Sequence, residues 1–233
     1  MNKINYGYAC INETLKKEGI TTNRSLKKAT LEKKGLEYCS DLAVQNVRDL
    51  EKILKWNVEN DILLFRMSSN MIPWGNKVDW FNFKDFDEIK ETLARCGEYA
   101  KINNMRLTMH PGQYCILTSP HQHVIDNSVS DLKMHSDIMD LMGLSLTPYN
   151  KINIHMGAAY GDKQSAVKTF IKNFKTFKIE QYRNGKKTIS YFERLLDIID
   201  ENRDSVEDSY IQNQIDTVQE LINSTIYKLR FLK

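Results

Sequence analysis

Four cysteines, Cys10, Cys39, Cys96 and Cys115, stand far apart and form no Cys-x-x-Cys pair. That spacing speaks against a zinc knuckle and gives no support to a disulfide framework, so a reducing compartment is expected. No apolar run approaches the roughly 18 residues a membrane helix needs, and the N-terminal MNKINYGYAC lacks the apolar core of a signal peptide. The chain is expected to be soluble and intracellular, with no membrane partner. Charge of one sign is also scarce, because 33 lysines and arginines against 30 acidic residues leave a formal charge of +3 over 233 residues. This mild basicity permits nucleic-acid binding without arguing for it. No Gly-x-Gly-x-x-Gly turn follows the first strand, which speaks against a dinucleotide-binding doubly wound fold.

What is present is an alternation of short apolar strands and amphipathic helices. Residues 4–8 form a strand candidate, followed by a polar loop to about Lys34. After Ser40, Leu42, Val47, Leu50, Ile53, Leu54 and Val58 recur at helical spacing, with Ser40 or Asp41 as caps. ILLFRM (62–67) reads as a strand, and 85–103 as a helix striped by Ile89, Leu93, Cys96 and Ala100. RLTMH (106–110) is a third strand, 121–143 a helix, KINIH (151–155) a fourth strand and 162–177 its helix. Nearly all-apolar strands alternating with helices indicate an α/β fold with a parallel sheet. Four such units use about 177 residues, whereas a complete eight-stranded barrel takes roughly 250. The expectation is therefore an incomplete, TIM-barrel-like arrangement of four to five βα units over 1–177, with a divergent, mostly helical tail over 178–233 in the same domain.

Parallel α/β proteins place their chemistry where strands end side by side. The first strand end offers Tyr8 and Cys10, the second Arg66, Ser68, Ser69 and Asn70, the third His110, Gln113 and Tyr114, and the fourth His155, Tyr160 and Lys163. His110 and His155 each close a strand, which suggests metal ligands, although a single histidine there is more often just hydrogen-bonded. His121, His123 and His135 fall in loop or helix and read as solvated or capping residues. PGQY (111–114) is a tight turn with Gln113 and Tyr114 at its tip. A ring that stacks beside an amide that replaces base hydrogen bonds suits insertion into a duplex, and a packed turn tyrosine is the plainer alternative. YGDK (160–163) opens a helix whose free N–H groups and Lys163 suit a phosphate, against a simple Gly-Asp cap.

Six motifs in order, GYAC (7–10), TTNR (21–24), LKWN (54–57), FRMSSNMIPW (65–74), MHPGQY (109–114) and HMGAAYGDK (155–163), resemble the UV damage endonuclease family of the UvdE or UvsE type. The resemblance runs over about residues 4–177. It implies a TIM barrel that binds divalent metal, manganese first and magnesium, cobalt or zinc as alternatives, and nicks double-stranded DNA 5′ of a UV photoproduct. Position by position, it implies that His110 and His155 are metal ligands through which catalysis runs, and that Tyr8, Gln113 and Tyr114 contact the lesion. It gives Asn23, Arg24, Ser68, Ser69 and Lys163 DNA-binding or site-shaping roles. After Phe177 the pattern departs. Glu201 and Asn202 in DENRD loosely resemble the family's next metal-binding segment, so Glu201 is a third candidate ligand, and no aspartate and histidine cluster follows it. Two histidines are too few for a multinuclear site, so three readings stand: a UV endonuclease, active or impaired by truncation; a damaged-DNA-binding remnant that does not cut; and, ranked last because it gives no reason for PGQY, a metal-dependent sugar isomerase.

Overall fold

A computed structural model describes residues 6–147, 149–155 and 162–175, together with 216, 219, 220 and 223. Its elements run β1 (Gly7–Ala9), α1 (Glu13–Lys16), α2 (Lys28–Glu59), β2 (Leu64–Met67), a 3-10 turn at Trp80–Asn82, α3 (Phe86–Ile102), β3 (Arg106–Met109), α4 (Gln122–Leu141) and α5 (Lys163–Lys175). The three strands form one parallel sheet in the order β1-β2-β3. Tyr8, Phe65 and Leu107 lie in one row across it, and Ala9, Arg66 and Thr108 in the next. The class is α/β, as the strand–helix alternation predicts.

Successive side chains of a strand face opposite ways. Phe65, Met67, Leu107 and Met109 are fully buried and belong to one core with Leu50, Ile53 and Leu54 of α2 and Ile89 and Leu93 of α3. Burying each such side chain contributes about 1.5–3 kcal/mol. The opposite face is less covered: Gly7 and Ala9 are exposed and Leu64, Arg66 and Arg106 half-buried, with Thr108 the buried residue on it.

Two sequence expectations about α2 are corrected. The loop expected as far as Lys34 is helical from Lys28, because KATLEKK holds strong helix formers at every position but Thr30 and Lys28 pairs with Glu32 one turn on at 3.7 Å. Gly35, at φ 72°, is the break that separates this turn from the rest of α2. Ser40, expected as a cap of that helix, lies inside it. Its hydroxyl donates to Asp85 Oδ2 at 2.8 Å and accepts from the Asp85 N–H at 3.2 Å, pinning the start of α3 to α2.

The fourth strand expected at KINIH is reduced to a single parallel bridge between Met109 and Ile152. The Met109 N–H donates to the Lys151 carbonyl at 3.0 Å and the Asn153 N–H to the Met109 carbonyl at 2.9 Å. Two bonds suffice to bring this segment beside β3. Apart from four isolated helical positions, the tail over 178–233, including Glu201, lies outside the described residues. All four cysteines are free thiols. Among the described residues no helix is long and apolar enough to cross a membrane.

Candidate metal and nucleic-acid site

Strand alternation carried one residue past Met109 puts His110 on the less covered face of the sheet, and the bridge at Ile152 brings His155 beside it. Their rings stand 4.4 Å apart between centroids, inclined at 58°, with the two Nε2 atoms at 2.8 Å. His110 Nδ1 lies 2.5 Å from the carbonyl oxygen of Asn153. A carbonyl only accepts, so Nδ1 carries the proton and, in the neutral ring, Nε2 presents a lone pair.

Two nitrogen lone pairs do not face each other at 2.8 Å without something positive between them, either a proton on His155 or a shared cation. Imidazole nitrogens on one metal at about 2.0–2.1 Å in tetrahedral geometry stand about 3.4 Å apart. A small rotation of the exposed His155 ring reaches that spacing. An Nδ1–H anchored on a backbone carbonyl is also the usual support of a metal-bound histidine. The pair therefore fits a divalent metal. No third His, Cys, Asp or Glu joins it among the described residues.

The lesion-contact candidates divide by environment. Gln113 and Tyr114 occupy the tip of a turn closed by the Cys115 N–H on the Gly112 carbonyl at 2.9 Å, and Tyr114 is 80% exposed. Tyr8 is half-buried. Its hydroxyl donates to Asn57 Oδ1 at 2.6 Å and accepts from Asn12 Nδ2 at 2.9 Å, while its ring packs on Phe65. Burial pushes the Tyr8 phenol above its ordinary pKa.

Arg24 is spent on its own loop. Its guanidinium donates to the carbonyls of Thr21 and Gly19 and to Asp49 Oδ2, the last at 2.7 Å. Asn23 Oδ1 accepts from the Thr21 hydroxyl at 2.5 Å. Both residues shape the 19–27 loop. Burial raises the pKa of Asp49, but hydrogen bonds from Lys52, Arg24 and the Thr21 N–H outweigh it and hold the carboxyl below its ordinary value.

At the start of α5, Asp162 Oδ1 accepts from the Ser165 N–H at 2.9 Å and Oδ2 from the Ser165 hydroxyl at 2.6 Å. A carboxylate thus already occupies this helix start, and Lys163 is left exposed beside it. Ser68 is buried and its Oγ accepts from the Asn70 N–H, bending the chain after β2. Tyr160 and Glu201 lie outside the described residues.

His135 is the clearest reversal. Expected as a solvated or capping side chain, it is 0% exposed inside α4, with Nδ1 donating to the Asp131 carbonyl at 2.7 Å and Nε2 without a partner. Burial pushes its pKa down, holding the ring neutral. The signal was in the sequence: position 135 is three residues from both Leu132 and Ile138, on the helix's buried stripe. The Asn153 carbonyl had no such signal, since any residue supplies a backbone oxygen.

A parallel sheet carrying a carbonyl-anchored histidine pair at its carboxyl end defines an α/β protein with a polar site at its strand ends. Residues 4–184 match the family described as UV-endonuclease UvdE, and the chain belongs to that family. It is 37% identical over 174 residues to the UV DNA damage endonuclease of Clostridium perfringens, covering 72% of this chain and 39% of that protein. It is 34% identical over 172 residues to the UV-damage endonuclease of Schizosaccharomyces pombe, covering 72% of this chain and 28% of the other. Among solved structures, the crystal structure of SacUVDE is similar at a TM-score of 0.63 and 33% identity, over 74% of this chain and 56% of that one. The chain thus spans well under half the length of the two curated relatives.

Proposed function

We propose that this chain carries the lesion-reading side, and two metal ligands, of a DNA repair endonuclease that hydrolyses a phosphodiester 5′ of a UV photoproduct. Membership of the UvdE family supports the reaction class. The observation that carries it to particular residues is the His110–His155 pair, preset at 2.8 Å with its tautomer held by a backbone carbonyl. In this reading the strands belong to a TIM-type barrel of which the described residues form part.

His110 and His155 would hold a divalent metal, manganese being the first candidate, with Glu201 as a proposed third ligand. Such a metal activates water near neutral pH and offsets charge building on phosphate oxygens. The chain's own contributions are positional. The Asn153 carbonyl fixes the His110 ring, and the exposed Gln113–Tyr114 tip enters the duplex at the lesion, the ring stacking and the amide bonding to bases. Tyr8, its hydroxyl engaged, meets DNA through its ring alone. Asn23 and Arg24 present the 19–27 loop, and Lys163 is free to meet a phosphate.

A second reading, binding of damaged DNA without cleavage, is favoured by one observation: among the described residues no third His, Cys, Asp or Glu joins the His110–His155 pair. Incubation with manganese and a duplex carrying one defined photoproduct decides between them. A nick 5′ of the lesion, leaving a 3′ hydroxyl, is expected. Retained binding with no nick at high protein excess replaces the endonuclease with the binding protein.

A further inference from the structure

Five arginines lie among the described residues, and four are held by acceptors within the chain. Arg24 bonds to Asp49 at 2.7 Å, Arg48 to Glu88 at 2.6 Å, Arg95 to Glu51 at 3.4 Å and Arg106 to the Tyr149 carbonyl at 2.8 Å. The Arg66 guanidinium has no hydrogen bond or ion pair among the described residues, although Arg66 sits in the middle strand of the sheet rather than on a helix exterior.

Its face is determined by its neighbours. Phe65 and Met67 are buried in the helix-facing core, so Arg66 projects from the other, less covered side. In its row it is flanked by Ala9 and Thr108, both small, so nothing bulky on either strand closes over the guanidinium. Its charge is felt at Cys10, at the carboxyl end of β1, where burial raises the thiol pKa and Arg66 pulls against that rise. His110 lies on the same face, one strand across and two residues further on. At about 3.3 Å per residue and 4.8 Å between strands, the two Cα atoms are about 8 Å apart.

A half-buried, permanently charged fork of five N–H donors without an acceptor among the described residues, beside a histidine pair suited to metal, is the arrangement that receives a phosphate bidentately. We propose that Arg66 is a phosphate-binding residue, taking two oxygens of a DNA backbone phosphate at the inner face of the sheet and setting the position of the strand relative to His110 and His155. This rests on DNA being the ligand, as proposed above. It adds a binding contact that positions the strand.

The test measures binding of a duplex of about 20 base pairs, with and without a photoproduct, by fluorescence anisotropy between 50 and 200 mM salt, alongside metal content and melting temperature. Each phosphate contact contributes about 0.9 to the slope of log affinity against log salt. For R66Q the slope should fall by about one, on both duplexes, with metal content unchanged and affinity at 50 mM salt about tenfold lower. R66K keeps the charge and loses the fork, so it should keep the slope and bind several-fold more weakly. R106Q, which alters an arginine occupied by a carbonyl, should leave the slope unchanged.

A folded R66Q with wild-type slope and affinity overturns the proposal. If R66Q does not fold, R66K binding as tightly as wild type overturns it instead. The outcome is independent of cleavage. A wild-type protein that binds without nicking, with the slope reduced in R66Q, sinks the endonuclease reading and supports Arg66. Nicking by both proteins at unchanged KM and slope does the reverse.

Discussion

His110 Nε2 and His155 Nε2 face each other at 2.8 Å although 45 residues separate them, and only His110 is anchored, by Nδ1 on the Asn153 carbonyl. The contact needs a proton or a cation between the nitrogens. Manganese or zinc should therefore raise the melting temperature of the wild-type protein by a measurable few degrees. In H110A and H155A the rise should vanish and bound metal, measured after gel filtration by elemental analysis, should fall. Unchanged metal content in both variants removes the pair as ligands.

The two tyrosines assigned to lesion contact should separate cleanly. Tyr8→Phe leaves the buried Asn57 side chain without its donor, which costs about 1–2 kcal/mol in urea unfolding. Tyr114→Ala, at a site 80% exposed, should change stability by less than about 0.5 kcal/mol. On a photoproduct duplex, however, it should lose base stacking worth about 1–3 kcal/mol, or roughly 5- to 150-fold in affinity. Equal stability loss in both variants contradicts this division.

Acid should reveal Asp49. The bonds from Lys52, Arg24 and Thr21 overcome burial and hold its folded pKa below the unfolded value. A depressed carboxylate pKa means that the unfolded chain binds the proton first. The stabilisation is then fully present above the ordinary value of about 4 and is lost as pH falls through the folded value. Asp49→Asn should therefore be less stable by about 1–3 kcal/mol at pH 7, with the gap to wild type closing below pH 4. Parallel stability curves from pH 7 to pH 3 would contradict the assignment.

Gly97 should tolerate no side chain. A Cβ there would lie 1.7 Å from the backbone carbonyl oxygen of Met142, so α3 would have to move away from the end of α4. Gly97→Ala should cost about 3 kcal/mol or more. Gly112→Ala, with nothing within 4 Å of the added carbon, should be nearly neutral by the same unfolding measurement. The pair distinguishes close packing from any general need for glycine.

Much of this architecture was readable because short-range rules govern it. Apolar stripes placed α3 and α4 within one or two residues, and MHPGQY located the exposed turn. The start of α2 was missed because Lys28 to Lys34 carry no apolar stripe, only favourable propensity and an ion pair. The burial of His135 follows from its position on the helix's apolar stripe and not from its residue type. Glu201 and the tail stay an expectation, since they lie outside the described residues.

By itself the sequence determined the class of fold, the family and the identity of the two strand-end histidines, because periodicity and ordered motifs are properties of the chain read along its length. Tertiary structure decided which groups are free to act. It occupied the Tyr8 hydroxyl and the Arg24 guanidinium, buried His135, joined His110 to His155 and left the Arg66 guanidinium without an acceptor among the described residues. The physical reason is that a polar group's availability depends on the acceptors and donors that distant segments bring to it. Those partners are set by how helices and strands pack, beyond the reach of local spacing.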